Sequence, residues 1–307
     1  MGFLSIFQRN EDVEAKLVEK GFEISDCDLD CGSCTSKFPS SVKFQDDDGS
    51  SLWGSTKPFG LHVVVPTGKT DWRHDATGHS GTLSHAVSSW AGRSDKKFPK
   101  LGEATNIKVT VSSLSTKGHD LGDEEYCSEK RGDLLLLPLF VWVKNVTIAN
   151  VGDVLDTVIP AILDSREEQK TELPYKSVPG FPEAQISANG NQSYIFLCSH
   201  KTRDKRCGIT APIMKKEMDI YLRDLNLIRD HGDDRPNGVT VAYVNHIGGH
   251  KFAANVIIFN KKTGKNIWLA RCAPNNVKPI IDECIVADGK VWPNKVRIAQ
   301  KFNPVEW

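Results

Sequence analysis

Two pairs of metal-binding residue types, each placed where an apolar segment ends, constrain this chain most. The apolar segments span residues 194–197 and 239–244, and each has the length and composition of a buried strand. The residues that follow them are Cys198, Cys207, His246 and His250. In an α/β sheet the functional loops collect at the carboxyl ends of such strands. We therefore expect the four side chains to meet and form one metal centre.

The spacing within each pair narrows the kind of centre. Two thiolates with two imidazoles serve structural zinc or an iron–sulfur cluster of mixed ligation. Eight residues separate the two cysteines. Zinc modules usually place about two to four residues between paired cysteine ligands. The histidines enclose Gly248 and Gly249, which favour a tight loop over a metalloprotease helix. The residues thus favour a cluster and leave a structural zinc scaffold as the alternative.

The segments around these residues resemble a known family. FLCSHKTRDKRCGITAP and VNHIGGHKFAANV are similar to the motifs of the sucrase/ferredoxin-like family of thioredoxin-like [2Fe–2S] proteins. The resemblance extends to HVVVPTGKTDWRHD, LLLLPLFVWVKN and the terminal Trp307, so it spans most of the chain. It implies a [2Fe–2S] cluster with one iron held by Cys198 and Cys207 and the other by His246 and His250.

The domain organisation expected from the sequence is α/β throughout. Residues 193–307 are expected to form a carboxy-terminal thioredoxin-like ferredoxin domain, and residues 58–165 a second α/β domain without a cluster. Because both regions show the order strand, helix, strand, paired strands, helix, the second domain is predicted to be thioredoxin-like too. The polar, proline-rich residues 166–192 suit a linker. Residues 1–57 suit a short helix and a mobile acidic segment.

Apolar patterns predict the individual elements of these domains. In the first α/β region they predict helices 82–90 and 151–163 and strands 61–65, 106–111 and 133–143. In the second they predict helices 211–225 and 277–286 and strands 194–197, 239–244, 254–259 and 266–270.

Composition excludes several classes of partner. The 307 residues include 39 Lys plus Arg and 39 Asp plus Glu, so no net charge draws the chain to nucleic acid or a membrane surface. No apolar stretch approaches the roughly 20 residues that span a bilayer. The amino terminus lacks a secretory signal, and the eight unevenly spaced cysteines do not resemble a disulfide framework. We expect a cytoplasmic protein, with the nucleus as a second location.

The expected ligand set predicts an electron carrier whose redox change is coupled to a proton. With two thiolates and two neutral imidazoles the oxidised cluster has no net charge, so its potential should exceed that of all-cysteine ferredoxins. Each histidine keeps one ring nitrogen that can bind a proton on reduction. The sequence shows no nucleotide-binding glycine motif, no catalytic triad and no C-x-x-C at a predicted strand-to-helix turn. We therefore expect electrons to come from a redox partner, such as a flavoprotein reductase, rather than from chemistry of the chain's own.

Four basic residues lie between the two cysteines, namely Lys201, Arg203, Lys205 and Arg206, and Lys251 follows His250. They suit either a rim that attracts an acidic redox partner or a solvated loop. His200, in the same loop, is expected to be a hydrogen-bonding neighbour rather than a ligand. The stretch 71–75, Asp-Trp-Arg-His-Asp, is expected to be a structural loop.

Two terminal features complete the sequence-based expectations. Cys27, Cys31 and Cys34 have no clear fourth ligand and lie in a polar segment, so an unstructured tail is favoured over a metal site. Val305, Glu306 and Trp307 resemble the aliphatic–acidic–aromatic tripeptide by which cytosolic iron–sulfur proteins are recognised by the targeting machinery. The alternative is an aromatic end packed on the domain.

Overall fold

A mixed sheet of eleven strands runs through the described residues. The computed structural model describes residues 3–32, 36–44, 52–94, 98–102, 104–249 and 252–307. The strands are β1 (Leu61–Pro66), β2 (Ile107–Ser112), β3 (Arg131–Leu137), β4 (Val141–Thr147), β5 (Ser177–Val178), β6 (Phe181–Ala188), β7 (Ser193–Cys198), β8 (Val239–Val244), β9 (Val256–Asn260), β10 (Lys265–Leu269) and β11 (Val296–Lys301).

Helices pack against this sheet. They are α1 (Phe3–Glu19), α2 (Leu83–Ser94), α3 (Lys117–Asp120), α4 (Glu124–Cys127), α5 (Val151–Glu167), α6 (Lys205–Asp224) and α7 (Val277–Ile281), which continues as a π turn over Asp282–Val286. Every residue of β1, β7 and β9 is buried, as expected for central strands covered on both faces. Among the described helices, none has the length and apolar character needed to cross a membrane.

Each half of the sheet has the strand order of a thioredoxin-like unit. In the carboxy-terminal half the order is β10-β9-β7-β8, with β7 parallel to β8 and antiparallel to β9. In the amino-terminal half it is β4-β3-β1-β2, with β1 parallel to β2 and antiparallel to β3. Helices α6 and α2 are the crossovers that parallel neighbours require. The predicted α/β class, with two thioredoxin-like units, is confirmed.

The two units meet at the carboxyl ends of β2 and β8, the outer strand of each unit. Strands β2 and β8 are antiparallel and share the register pair Ser112 and Val244, each the last residue of its strand. Beside this pair the Val111 N–H donates to Asn245 Oδ1 at 3.0 Å. The loops that follow β7 and β8 therefore lie next to the loops that follow β1 and β2.

The segment predicted as one strand over 133–143 is a hairpin of β3 and β4. The chain turns at residues 138–140, where Phe140 has a φ of +50°. Pro138 lacks the N–H that a central strand must donate, so the apolar run breaks there. Because residues on both sides of the turn are buried, the hydrophobic pattern alone did not reveal the turn.

Residues 166–192, predicted as a linker, contain strands β5 and β6. Strand β6 pairs with β4 and buries Ala184 and Ile186, while most of its other side chains are exposed. A strand near a sheet edge needs only one apolar face. Its composition therefore resembles that of a polar linker.

The described parts of residues 1–57 are held against the carboxy-terminal unit, although the sequence suggests mobility after the first helix. Backbone N–H groups of Ser25, Cys31 and Gly54 donate to carbonyls of that unit, each at 2.9 Å. Cys27 is exposed and Cys31 half-buried. Cys34, the third cysteine of this amino-terminal segment, lies outside the described residues.

Candidate metal centre

Three of the predicted ligands come together where β7 and β8 end. Cys198 is the last residue of β7, Cys207 lies in the first turn of α6, and His246 follows β8 by two residues. Their ligand atoms all lie within 4.8 Å of one another. Cys198 Sγ is 3.8 Å from His246 Nδ1. Among the described residues, this is the one group of three side chains placed to hold a metal ion.

The fourth predicted ligand, His250, lies outside the described residues, so its ligation stays a prediction. The loop that leads to it is described as far as Gly249. Gly248 and Gly249 have φ values of +84° and +75°, a left-handed conformation that glycine adopts at little cost. The described part of the H-x3-H segment is thus a tight loop and not a metalloprotease helix, as the two glycines predict.

The second thiol sits in a helix that begins earlier than predicted. Helix α6 starts at Lys205 rather than at residue 211 because Asp204 caps it, accepting the Arg206 N–H at 2.9 Å. The Arg206 guanidinium also pairs with the Asp204 carboxylate at 2.8 Å. This cap places Cys207 at the helix amino terminus, where the partial positive charge of the backbone favours a thiolate.

The two thiols are electrostatically unequal. Contact with the neighbouring Cys207 thiol, together with His246, lowers the pKa of Cys198 against the opposing effect of burial. The same contact with Cys198, together with burial, raises the pKa of Cys207. Both side chains are shielded from water, with 2% and 1% of their surface exposed. Cys198 is therefore the more acidic thiol of the pair.

A loop of the amino-terminal unit clamps the segment between the cysteines. Asp71 accepts hydrogen bonds from the Thr202 N–H (3.1 Å) and the Thr202 hydroxyl (2.8 Å). Arg203 donates to the His74 carbonyl at 3.2 Å. The sequence predicts a structural loop over residues 71–75. In the structure this loop holds the segment between the two cysteines, which belongs to the carboxy-terminal unit. No local pattern in the sequence predicts that the two segments meet.

His200 joins this clamp to the histidine loop. Its Nε2 donates to the Trp72 carbonyl at 3.0 Å, and its Nδ1 accepts the His246 N–H at 3.1 Å. The ring is 1% exposed and packs edge-on against the Trp72 ring. Because both ring nitrogens are engaged, His200 is a hydrogen-bonding neighbour of the ligands, as the sequence predicts.

The donor set fits a soft or borderline metal. Buried thiolate and imidazole suit zinc and iron–sulfur clusters, whereas magnesium and calcium prefer oxygen ligands. The mutual distances within 4.8 Å admit a single tetrahedral ion as well as a cluster whose fourth ligand is His250. The chemistry open to this arrangement is therefore structural metal binding or electron transfer.

The carboxyl terminus is packed on the protein. Trp307 is 8% exposed, and its indole N–H donates to the Leu139 carbonyl at 2.9 Å. Val305 is also buried, while Glu306 is exposed. Leu139 belongs to the turn between β3 and β4, so the last residue of the chain contacts the amino-terminal unit.

Comparison with known proteins gives a family for this arrangement. Over 323 aligned residues the chain is 33% identical to actin patches distal protein 1 of Saccharomyces cerevisiae, which covers 98% of this chain and 99% of that protein. Over 93 residues it is 41% identical to altered inheritance of mitochondria protein 32 of Debaryomyces hansenii, which covers 30% of each. Among solved structures, a variant of the thioredoxin-like [2Fe–2S] ferredoxin from Aquifex aeolicus is 12% identical, with a TM-score of 0.23 over 34% of this chain and 96% of that chain.

The family match covers most of the chain and includes every predicted ligand. The sequence matches the sucrase/ferredoxin-like family over residues 52–298. That range contains both thioredoxin-like units and the whole of the candidate centre. The chain belongs to the sucrase/ferredoxin-like family.

Proposed function

We propose that this chain is an electron-transfer protein whose [2Fe–2S] cluster is held by Cys198, Cys207, His246 and His250. The observation that carries the proposal is that two buried thiols and a half-buried imidazole lie together at the ends of β7 and β8. Membership of the sucrase/ferredoxin-like family supports iron–sulfur chemistry at such a site. The eight-residue spacing of the cysteines supports a cluster over a small zinc module.

The protein's own groups prepare the site for this cofactor. The cluster, when bound, supplies the capacity to take up and release one electron. The contacts with Cys207 and His246 lower the pKa of Cys198, which favours the thiolate that a cluster iron binds. The amino terminus of α6, capped by Asp204, favours the second thiolate. His200 fixes the backbone of His246 through the 3.1 Å hydrogen bond.

Histidine ligation supports a proton-coupled redox change. His246 is partly exposed and its Nδ1 faces the Cys198 sulfur, so its Nε2 lies on the ring edge turned away from the thiol. A proton bound there is favoured in the reduced state and opposed in the oxidised state. The reduction potential should therefore fall as the pH rises.

Ligand substitution tests the assignment directly. Cys198→Ser and Cys207→Ser should lose nearly all iron and sulfide, because an alcohol is a poor ligand for iron in a cluster. His246→Cys and His250→Cys should keep the cluster with a lower potential and a weaker dependence on pH. Cys272→Ser, which alters another buried thiol, is the matched control and should retain wild-type iron. Unchanged potentials in both histidine variants would contradict the ligand assignment.

A structural zinc scaffold is the second candidate function. It is favoured by the mutual distances within 4.8 Å, which suit one tetrahedral ion. It predicts a colourless protein with one zinc per chain and no response to dithionite. Metal analysis of protein purified from cells with intact cluster assembly separates it from the cluster.

We also infer an acidic redox partner that docks beside the centre. Lys201, Arg203 and Lys205 are exposed on the segment between the cysteines, and Arg73 is exposed on the loop that clamps it. A flavoprotein reductase with an acidic docking face fits this rim. With small reductants as probes, Lys201→Glu with Lys205→Glu should slow reduction by an anionic reagent and speed it with a cationic one at low salt. Lys262→Glu, on the β9–β10 turn, is the control, and equal rates in all three proteins would contradict the rim.

The cytoplasm is the proposed location, with recognition of the carboxy-terminal tripeptide by the cytosolic iron–sulfur targeting machinery. The sequence of Val305, Glu306 and Trp307 supports the proposal. Because Val305 and Trp307 are buried in the folded protein, recognition requires the tripeptide to leave its packing site, which fits an apoprotein that has not finished folding. Equal iron content in cells with and without Trp307 would count against it.

A further inference from the structure

Arg297 of β11 is a buried cation beside the candidate centre. Its side chain is among the largest that the described part of the protein buries completely, with 1% of its surface exposed. Burying a guanidinium is costly unless its charge and its donors find partners. The identity of those partners indicates what the residue does.

The donors of Arg297 bind two segments that flank the site. One terminal nitrogen donates to the Gly248 carbonyl (3.1 Å) and to Asn255 Oδ1 (2.9 Å). Nε and the other terminal nitrogen donate to the Ser55 hydroxyl (2.9 Å) and carbonyl (3.0 Å). Gly248 lies between His246 and His250. Arg297 thus fastens the histidine loop to β11 and to the segment that precedes β1.

The histidine loop leaves space for the side chain of Arg297. The guanidinium lies over the Phe252 ring, 4.5 Å from its centroid. At Gly249 a Cβ atom would come within 2.3 Å of the Phe252 ring and 3.2 Å of an Arg297 nitrogen. The glycine therefore provides both the left-handed turn and the space that the cation and ring occupy.

The charge of Arg297 is not balanced by a carboxylate. Among the described residues, none of the acidic side chains forms an ion pair with it; its partners are carbonyls, an amide and a hydroxyl. Burial lowers the pKa of Arg297 to about 10, and the nearby Cys198 acts in the opposite direction. The guanidinium thus stays protonated at neutral pH beside a centre whose ligands include two cysteines.

We propose that Arg297 is the positioning residue and buried counter-charge of this metal centre, holding the histidine loop through Gly248 and favouring the state of the centre that carries more negative charge. The inference rests on the proposed cluster. With two thiolates and two neutral imidazoles, reduction takes the cluster from no net charge to −1. A fixed positive charge in a water-poor environment favours that step. Arg297 therefore raises the reduction potential without touching the metal.

Redox titration of purified variants tests this role. Arg297→Gln keeps an N–H donor for the Gly248 carbonyl but removes the charge, and it should shift the potential to a more negative value. Arg297→Lys keeps the charge and should restore a potential close to that of the wild type. The matched control is Lys265→Gln, because Lys265 is also a buried cation that donates to a carbonyl (Asp288, 2.8 Å) and lies over a ring (Phe22, 5.2 Å). Its potential should not move.

The outcomes separate this inference from the proposed function. If the wild type takes up no electron, the cluster itself is contradicted and the inference falls with it. If the wild type is reducible and Arg297→Gln has the same potential, only the role of Arg297 is overturned. If Arg297→Gln does not retain a cluster while Lys265→Gln does, positioning is supported. Arg297→Lys then tests the role of the charge, since a potential below that of the wild type in this variant would contradict the counter-charge role.

Discussion

At the scale of single residues, His62 shows how strongly this fold shields a polar group between its two units. The side chain is fully buried in β1, with its Nε2 2.8 Å from the Thr110 hydroxyl. Its Nδ1 has no hydrogen-bond partner among the described residues, and aromatic rings of Phe59, Phe196 and Phe259 surround it. Burial, with a smaller contribution from Lys108, lowers the pKa of His62 from 6.5 to about 3.

This burial links stability to pH. Below pH 6.5 the unfolded chain binds a proton at His62, whereas the folded chain does so only near pH 3. Stability is therefore greatest above pH 6.5 and is lost as the pH falls, by about 2 kcal/mol between pH 7 and pH 4.5 from this residue alone. Urea unfolding at both values should show this loss in the wild type and a smaller one in His62→Leu. Equal losses in the two proteins would contradict the buried neutral histidine.

At the scale of elements, the centre depends on a loop of one unit clamping a loop of the other. Asp71 bonds twice to Thr202, and His200 links Trp72 to His246. Ser199, next to Cys198, also donates its hydroxyl to the Thr70 carbonyl at 2.6 Å. The segment between the cysteines is therefore ordered by the amino-terminal unit, which carries none of the predicted ligands.

Breaking this clamp should loosen the centre. Asp71→Ala removes both acceptors for Thr202 and should lower the free energy of unfolding by about 1 kcal/mol. It should also speed amide hydrogen exchange over residues 199–206 and shorten the lifetime of the metal centre towards a chelator. Asp75→Ala, whose carboxylate accepts a hydrogen bond from Thr77 within its own turn, is the control. A variant of Asp71 with wild-type exchange and metal lifetime would show that the clamp is dispensable.

The elements also show what a sequence can and cannot predict. Apolar periodicity found the strands that end at Cys198 and before His246, because buried parallel strands are apolar throughout. It joined β3 to β4, since the turn at Pro138 is itself buried, and it missed β6, whose exposed face is polar. The Asp71–Thr202 contact joins residues 131 positions apart, and no local pattern encodes such a contact. The burial of Arg297 was not predicted either, because a charged residue in a sequence ordinarily indicates an exposed position.

At the scale of the whole molecule, the last residue of the chain ties the two units together. Trp307 contacts the β3–β4 turn through the Leu139 carbonyl, and Lys261 donates to the Trp307 carbonyl. The indole belongs to the main hydrophobic core, which extends across both halves of the sheet. The Trp307 side chain thus serves both the packing of the two units and the proposed recognition by the targeting machinery.

Removing this side chain should therefore have two separable effects. Trp307→Ala should lower the free energy of unfolding by about 3 kcal/mol, through lost burial and an unpaired carbonyl, and thermal unfolding measures this. If the tripeptide is also a targeting signal, iron content in cells should fall, and reconstitution of the purified protein should restore it. Glu306→Gln, which changes an exposed residue of the tripeptide, should leave thermal stability unchanged. Unaltered unfolding of Trp307→Ala would contradict the packing.

The most direct test of the central claim is a visible absorption spectrum of the freshly purified full-length protein, with iron and sulfide analysis, before and after dithionite. A [2Fe–2S] cluster at Cys198, Cys207, His246 and His250 predicts a reddish protein with about two irons and two sulfides per chain that bleaches on reduction. A colourless protein that holds one zinc and does not respond to dithionite, prepared with cluster assembly intact, would contradict the cluster and make this a structural site.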